Sequence, residues 1–279
     1  MIHLLVSVKQ VPDTTNIRID PETGSMIRKG VPAILNPYDA HAVASAAEWK
    51  KKLNGKLTVI TMGPPAAEEA LQECIEMGAD RAVLISDRAF AGSDTLATSY
   101  VLAEAIRKID QEDHVDLVFF GKQAIDGDTA QVGPGVAIRL GLPLVTYAVD
   151  IQEIDEDEGS ATIVRKTESG KEIIKTSLPA ALTAEKSIAE IPYAALPDLI
   201  TSLKYKPEIW SAEEPFAYDT DQIGLGGSPT MVAKSGTPDA HEPAETISVE
   251  ENGLSGTVET VLGKMLSHAG VAALLEDRK

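Results

Sequence analysis

Leu117-Val118-Phe119-Phe120-Gly121, residues 117–121, is a short apolar run closed by glycine, and it reads as a strand. Thr95–Ile109, before it, carries apolar residues at helical spacing. A loop follows it, and a further helix is expected from near Gly127 to Gly141. The same alternation extends toward the N-terminus. Leu4–Val8, Leu57–Thr61 and Ala82–Ile85 read as strands, with helices expected over the alanine-rich Pro37–Asn54 and the amphipathic Pro65–Met77. Strands that alternate with helices predict an α/β fold with a doubly wound, mostly parallel, Rossmann-like sheet.

After Leu142 the pattern changes. Val149–Ile154, Thr162–Lys166 and Glu172–Thr176 alternate polar and apolar residues and are separated by acidic, glycine-containing turns. An antiparallel meander is expected there, followed by a buried strand at Ala180–Ala184. From Glu208 to Glu245 periodicity is lost among prolines and glycines, which predicts an extended arm without its own core. A last helix is expected over Leu254–Leu275. The organisation expected is an α/β domain with its meander over 1–207, then an arm and helix over 208–279.

Composition narrows the function. With 279 residues, 43% of them hydrophobic, the chain can bury one sizeable core. Its net charge of −18 would be repelled by phosphate backbones, which argues against a nucleic-acid partner. The single cysteine, Cys74, rules out a disulfide within the chain and a cysteine metal cluster. The five histidines show no metal-ligand spacing, so no metal is expected. The apolar N-terminal run is short and lacks a basic leader, and no run approaches the length of a membrane span. A cytoplasmic protein is expected. No Gly-x-Ser-x-Gly elbow is present, and Gly224-Leu225-Gly226-Gly227 has no strand before it. No catalytic residue is assigned.

In an open parallel sheet, ligands lie beyond the carboxyl ends of the strands. The segments there are Ser7 to Asp13, including Lys9 and Val11, then Met62-Gly63-Pro64, then Gly92-Ser93-Asp94-Thr95, and finally Gly121 to Gln131. Asp94 or Ser93 can cap the helix that carries Thr95 and Thr98. Asp126 can cap the helix expected after it, and Asn36 the helix starting at Pro37. Helix N-termini suit phosphate, and Gly127 leaves room for a ligand. Each piece alone is ordinary capping chemistry. Their convergence on one edge points to a nucleotide cradle.

These loops carry a resemblance. Val6-Ser7-Val8-Lys9-Gln10-Val11-Pro12-Asp13, Asn36-Pro37-Tyr38-Asp39-Ala40, Gly78-Ala79-Asp80-Arg81, Gly121 to Pro134, Tyr193-Ala194-Ala195-Leu196-Pro197 and Gly227-Ser228-Pro229-Thr230 occur in this order. The chain resembles the beta subunit of electron-transfer flavoproteins along nearly its whole length. The resemblance implies an electron-transfer component that pairs with an FAD-carrying alpha subunit and wraps it with its C-terminal arm. It implies a nucleotide held by Ser7, Lys9, Val11, Asn36, Pro37, Tyr38, Asp39, Met62, Asp94, Thr95 and Thr98. It adds Gly121, Lys122, Gln123, Ala124, Ile125, Asp126, Gly127, Asp128, Thr129, Ala130, Gln131 and Val132. Leu196 matches the family's recognition-loop leucine, which docks into an acyl-CoA or other flavin dehydrogenase.

In this family the nucleotide is AMP or a second FAD. Asp126-Gly127-Asp128-Thr129-Ala130-Gln131-Val132-Gly133-Pro134 resembles the electron-bifurcating branch, as does Asp94-Thr95-Leu96-Ala97-Thr98-Ser99. That branch implies FAD here, NAD(H) as donor, and ferredoxin or flavodoxin as a low-potential acceptor. Ala42-Val43-Ala44-Ser45-Ala46-Ala47 departs from the acidic pair that many members carry after the Asn-Pro motif. Structural AMP is one alternative. A stand-alone stress-type nucleotide-binding module is the other, and it has no use for the meander, the arm or Leu196.

Overall fold

The computed structural model describes residues 1–13, 32–231 and 245–267, together with the backbone of 18–19 and 26–27. In chain order the elements begin with β1 (His3–Ser7), β2 (Gln10–Pro12), β3 (Arg18–Ile19), β4 (Met26–Ile27) and β5 (Ala33–Leu35). Next come α1 (Pro37–Leu53), β6 (Lys56–Met62), α2 (Glu68–Glu76), β7 (Arg81–Ile85), α3 (Thr95–Glu112), β8 (Leu117–Gly121) and α4 (Val132–Leu140). The chain continues through β9 (Leu144–Asp155), β10 (Ser160–Thr167), β11 (Gly170–Ser177), β12 (Ala180–Ala184), α5 (Leu196–Ser202), β13 (Glu208–Trp210) and α6 (Val249–Ser267).

One nine-stranded sheet runs in the order β11-β10-β9-β12-β8-β1-β6-β7-β13. From β9 to β13 every pairing is parallel, and β9-β10-β11 is the antiparallel meander. Successive side chains of a strand point to opposite faces, so each central strand feeds two cores. Leu4, Val6, Leu57, Val59, Leu117 and Phe119 pack with Val43 of α1 and Leu71 and Cys74 of α2. Leu5, Ile60, Val118 and Phe120 pack on the other face with Leu102 and Ile106 of α3 and Val136 of α4. Each fully buried leucine or isoleucine contributes roughly 1.5–3 kcal/mol. This is the doubly wound sheet that the alternation predicts.

Two close approaches seat the helices of the second layer. A Cβ on Gly133 would stand 2.9 Å from Thr183 Cγ2, and one on Gly135 2.4 Å from Ser99 Oγ. Larger residues would push α4 off the sheet and off α3.

The segment from Glu208 differs from the expected arm. Glu208–Trp210 pairs in parallel with Val83–Ile85 and closes the sheet edge. Arg81 fastens it, with Nε 2.7 Å from Glu208 Oε1 and a guanidinium nitrogen 3.0 Å from Glu112. Trp210, Tyr218 and Ile223 are buried in the second core, where Tyr218 meets Phe90 edge to face at 5.2 Å. Proline and glycine erase periodicity here, but the aromatics still supply apolar surface to the sheet edge. One compact unit therefore spans Met1–Gly236, and a second spans Thr237–Lys279. In the second, α6 runs over Val249–Ser267 with a break at Gly253, whose φ of 64° no ordinary helix adopts. The expected helix from 268 to 275 and the arm over 232–244 lie outside the described residues.

Candidate functional site

A cleft of about 500 Å³ lies at the carboxyl ends of β1, β6 and β8 and at the N-terminal ends of α3 and α4. Its walls bring together Ser7, Lys9, Asn36, Asp39, Met62, Asp94, Thr95, Thr98, Gly121, Lys122, Gln123 and Ala124. Asp126, Gly127, Asp128, Thr129, Ala130, Gln131 and Val132 complete the set drawn from the sequence. Four expected residues lie elsewhere. Val11 is buried in β2, paired with Ile34. Pro37 opens α1. Tyr38 faces the ammonium groups of Lys186 and Lys122, 5.0 and 5.8 Å from its ring. Ile125 contributes only a backbone N–H, which donates to Asn36 Oδ1 at 3.2 Å.

Asp39 is the joint of this edge. It is buried in the first turn of α1, and its carboxylate accepts from Lys9 N at 2.8 Å and Gly121 N at 3.1 Å. One side chain thus ties the loop after β1 to the end of β8. The approach requires glycine, since a Cβ on Gly121 would stand 2.1 Å from Asp39 Oδ1. Burial pushes the Asp39 carboxyl up to about 7, against the opposing pull of Asn36, the two backbone donors and the Lys9 charge. Without those donors a carboxylate in this place would be costlier still.

Asn36 does a different job from the helix cap expected of it. It is fully buried, its Nδ2 donates to Gln123 O at 2.9 Å, and its side chain makes no capping bond to α1. It shapes the loop after β8. Lys9 Nζ holds the same loop through Asp126, 2.7 Å away. Asp126 caps no helix, because α4 begins only at Val132. The residues between them are used as loop. Asp128 and Ala130 take positive φ of 52° and 55°, and Gln123 Nε2 donates to Asp128 at 2.5 Å. Non-glycine residues in that region cost energy and recur where function holds them. A Cβ on Gly127 would meet nothing within 4 Å, so the wall is open there.

The two helix ends differ. Asp94 caps α3, accepting from Leu96 N at 2.9 Å and Ala97 N at 3.1 Å. Ser93 instead donates to Phe90 O and accepts from Gly224 N at 3.0 Å. α4 has no side-chain cap, and its third residue, Pro134, has no N–H. Its free end and partial positive charge face the cleft from Val132 and Gly133. Thr95 Oγ1 bridges the two ends by donating to Gln131 Oε1 at 2.9 Å.

Reading the strand ends misses Thr230, and with it Leu102, Phe120 and Gly133, which also line the cleft. The Thr230 hydroxyl and backbone N–H both donate to Asp94 Oδ2, at 2.7 and 3.1 Å. Ser228 Oγ accepts from Asp94 N at 2.8 Å. Partial burial raises the Asp94 carboxyl, but the Thr230 and helix donors outweigh it and hold the group below its usual value. Only the Gly-Ser-Pro-Thr stretch signalled this segment, and its contact spans 136 positions of sequence. At the far wall Lys122 pairs with Glu185 at 3.1 Å, which raises its pKa.

Leu196 opens α5 and is 69% exposed, beside the exposed Tyr193 and Leu203. Cys74 is buried in the first core, as a packed thiol should be, and burial pushes its pKa up. Among the described residues no histidine, cysteine and carboxylate group together as a metal site, and no helix is long and apolar enough to cross a membrane.

Fold and cleft define a class: a doubly wound α/β protein with a cleft at the carboxyl edge of its parallel strands, between two helix N-termini. Comparison with known proteins narrows it. Residues 23–208 match the electron transfer flavoprotein domain family. The chain is 44% identical over 267 residues to Protein FixA of Azotobacter vinelandii, covering 95% of each chain. It is 44% identical to the Caffeyl-CoA reductase-Etf complex subunit CarD of Acetobacterium woodii, over 95% of this chain and 97% of that one. It is 43% identical to the Electron transfer flavoprotein subunit beta of Clostridium acetobutylicum, over 88% of this chain and 92% of that one. The chain belongs to the electron-transfer flavoprotein family, as a subunit of the beta type acting in electron transfer.

Proposed function

We propose that this chain is the beta subunit of a heterodimeric, electron-bifurcating flavoprotein and that its cleft holds FAD. The observation that carries the reading is the junction of α3 and α4, where an uncapped helix end and the open wall at Gly127 face one cleft. That donor set fits a phosphate, and the Met62, Leu102 and Phe120 side chains give the cleft an apolar floor for a ring system. Lys9, Asn36 and Asp39 hold the loop around it.

Bound FAD would supply the site at which NADH delivers its electrons, for division between a ferredoxin or flavodoxin and, through the alpha-subunit FAD, a dehydrogenase. The chain's own residues bind, orient and enclose. The name of the relative CarD, a subunit of a caffeyl-CoA reductase-Etf complex, supports an acyl-CoA or other flavin dehydrogenase as the final partner. Exposed Leu196 supports docking through α5. The buried, unpaired Cys74 accords with a cytoplasmic setting.

Structural AMP is the second reading. One observation favours it, since a cleft of about 500 Å³ can take a mononucleotide without any neighbouring space. Anaerobic titration of the purified complex with NADH separates the two. The bifurcating reading expects NADH to bleach the flavin, whereas flavin that stays oxidised under excess NADH contradicts it.

A further inference from the structure

A second pocket, of about 560 Å³, opens between the C-terminal ends of α1 and α2 and the stretch that leads into α5. Tyr193, Ala194 and Asp198 line it, and Leu196 falls within the same stretch. Its charge is one-sided. Glu48, Glu76 and Asp198 stand on its wall, and none of the three side chains makes an ion pair or hydrogen bond among the described residues. Lys50 Nζ is engaged by Gly78 O at 2.9 Å and by Asp80, so exposed Lys51 alone opposes the three carboxylates.

The helix ends add to this. A helix C-terminus carries partial negative charge and favours a cation in its last turn. α1 has Lys50, Lys51 and Lys52 there, whereas α2 has no basic residue in its last turn and ends on Glu76. Glu73, three positions earlier, repeats the charge on the same face. Glu76 thus opposes its own helix, and among the described residues no cation offsets it. A residue that breaks a local rule in this way points to a role outside its own fold.

We propose that this pocket receives an arginine side chain of the partner dehydrogenase. The inference rests on the reading that a dehydrogenase docks through Leu196 and α5. A guanidinium pairs fork to fork with a carboxylate such as Glu76 or Asp198, and it stacks on an aromatic ring such as that of the fully exposed Tyr193. The last carbonyls of α2 are further acceptors. Leu196 supplies the apolar anchor of the docking face and the pocket a charged one beside it.

The experiment titrates a purified acyl-CoA dehydrogenase calorimetrically into the purified heterodimer, as wild type, Glu76→Gln/Asp198→Asn and Leu196→Ala. A fourth form, Glu153→Gln/Asp157→Asn, removes two exposed carboxylates from the meander as a charge-matched control. The pocket pair is expected to weaken dehydrogenase binding by about tenfold or more and to flatten its salt dependence, while the meander pair changes affinity by less than about twofold. Flavin content should be unchanged and the melting temperature of the pocket pair not lowered, since Glu76 opposes its helix. Wild-type affinity in the pocket pair, with a loss in Leu196→Ala, overturns the inference and leaves docking through α5 intact. An equal loss in the meander pair also overturns it, because diffuse charge then accounts for the effect. Wild-type complex that does not bind, or full affinity in both Leu196→Ala and the pocket pair, overturns the docking reading and the inference with it. Should the pocket pair fail to fold, Glu48→Gln carries the same comparison.

Discussion

At the residue scale the site depends on Asp39. Its raised pKa means that the folded chain binds a proton which the unfolded chain releases above its ordinary value of 3.8. Stability from this group is therefore full below about pH 4 and is lost as pH rises through about 7, by an amount on the order of a few kcal/mol. Asp39→Asn mimics the protonated group, so its unfolding free energy should vary less between pH 4 and 7 than that of wild type in parallel urea titrations. An identical pH slope in the two proteins would contradict the assignment. Gly121→Ala drives a methyl into Asp39 Oδ1 and should lower stability by about 1–3 kcal/mol, measured by the same titrations. Much of this scale was legible, because a ligand edge collects the residues that follow strands. The role of Asn36 was not. Asn-Pro reads locally as a cap, whereas the bond that claims its side chain comes from Gln123, 87 positions away. Tyr38 likewise precedes the cleft residue Asp39 by one position, and on a helix one position turns the side chain away from the cleft.

At the element scale, strand and helix periodicity identified the alternation that builds the parallel sheet, since each strand and helix announces its own buried face. Two elements escaped it. The helix expected near Gly127 starts at Val132, because Asp128 and Ala130 take left-handed backbone that no helix start contains. β13 is three residues long, too short to carry a period, and only its Trp210 marks the burial. The same stretch of chain leads to Thr230, which meets α3 through Asp94. Asp94→Ala removes a helix cap and the Thr230 acceptor together. It should cost about 1 kcal/mol or somewhat more in stability, and exchange at the Ser228 and Thr230 amides should quicken. Exchange at those amides equal to wild type would show that Asp94 does not hold the segment.

At the scale of the whole molecule, the chain exposes apolar surface that a partner would cover. Tyr193, Leu196 and Leu203 do so around α5, and Leu254, Leu262, Met265 and Leu266 along α6. Produced alone, the chain should therefore associate or precipitate, and co-production with an alpha subunit should raise its melting temperature. A well-behaved monomer in light scattering would count against a heterodimer. The acidic balance and the lone cysteine narrowed the classes without naming a role. The role comes from the edge cleft and from membership in the electron-transfer flavoprotein family over residues 23–208. What most directly tests the central claim is the nucleotide content of the purified complex, released by acid and quantified chromatographically. Two FAD per heterodimer and no AMP are expected, and one FAD with one AMP would contradict FAD in the cleft.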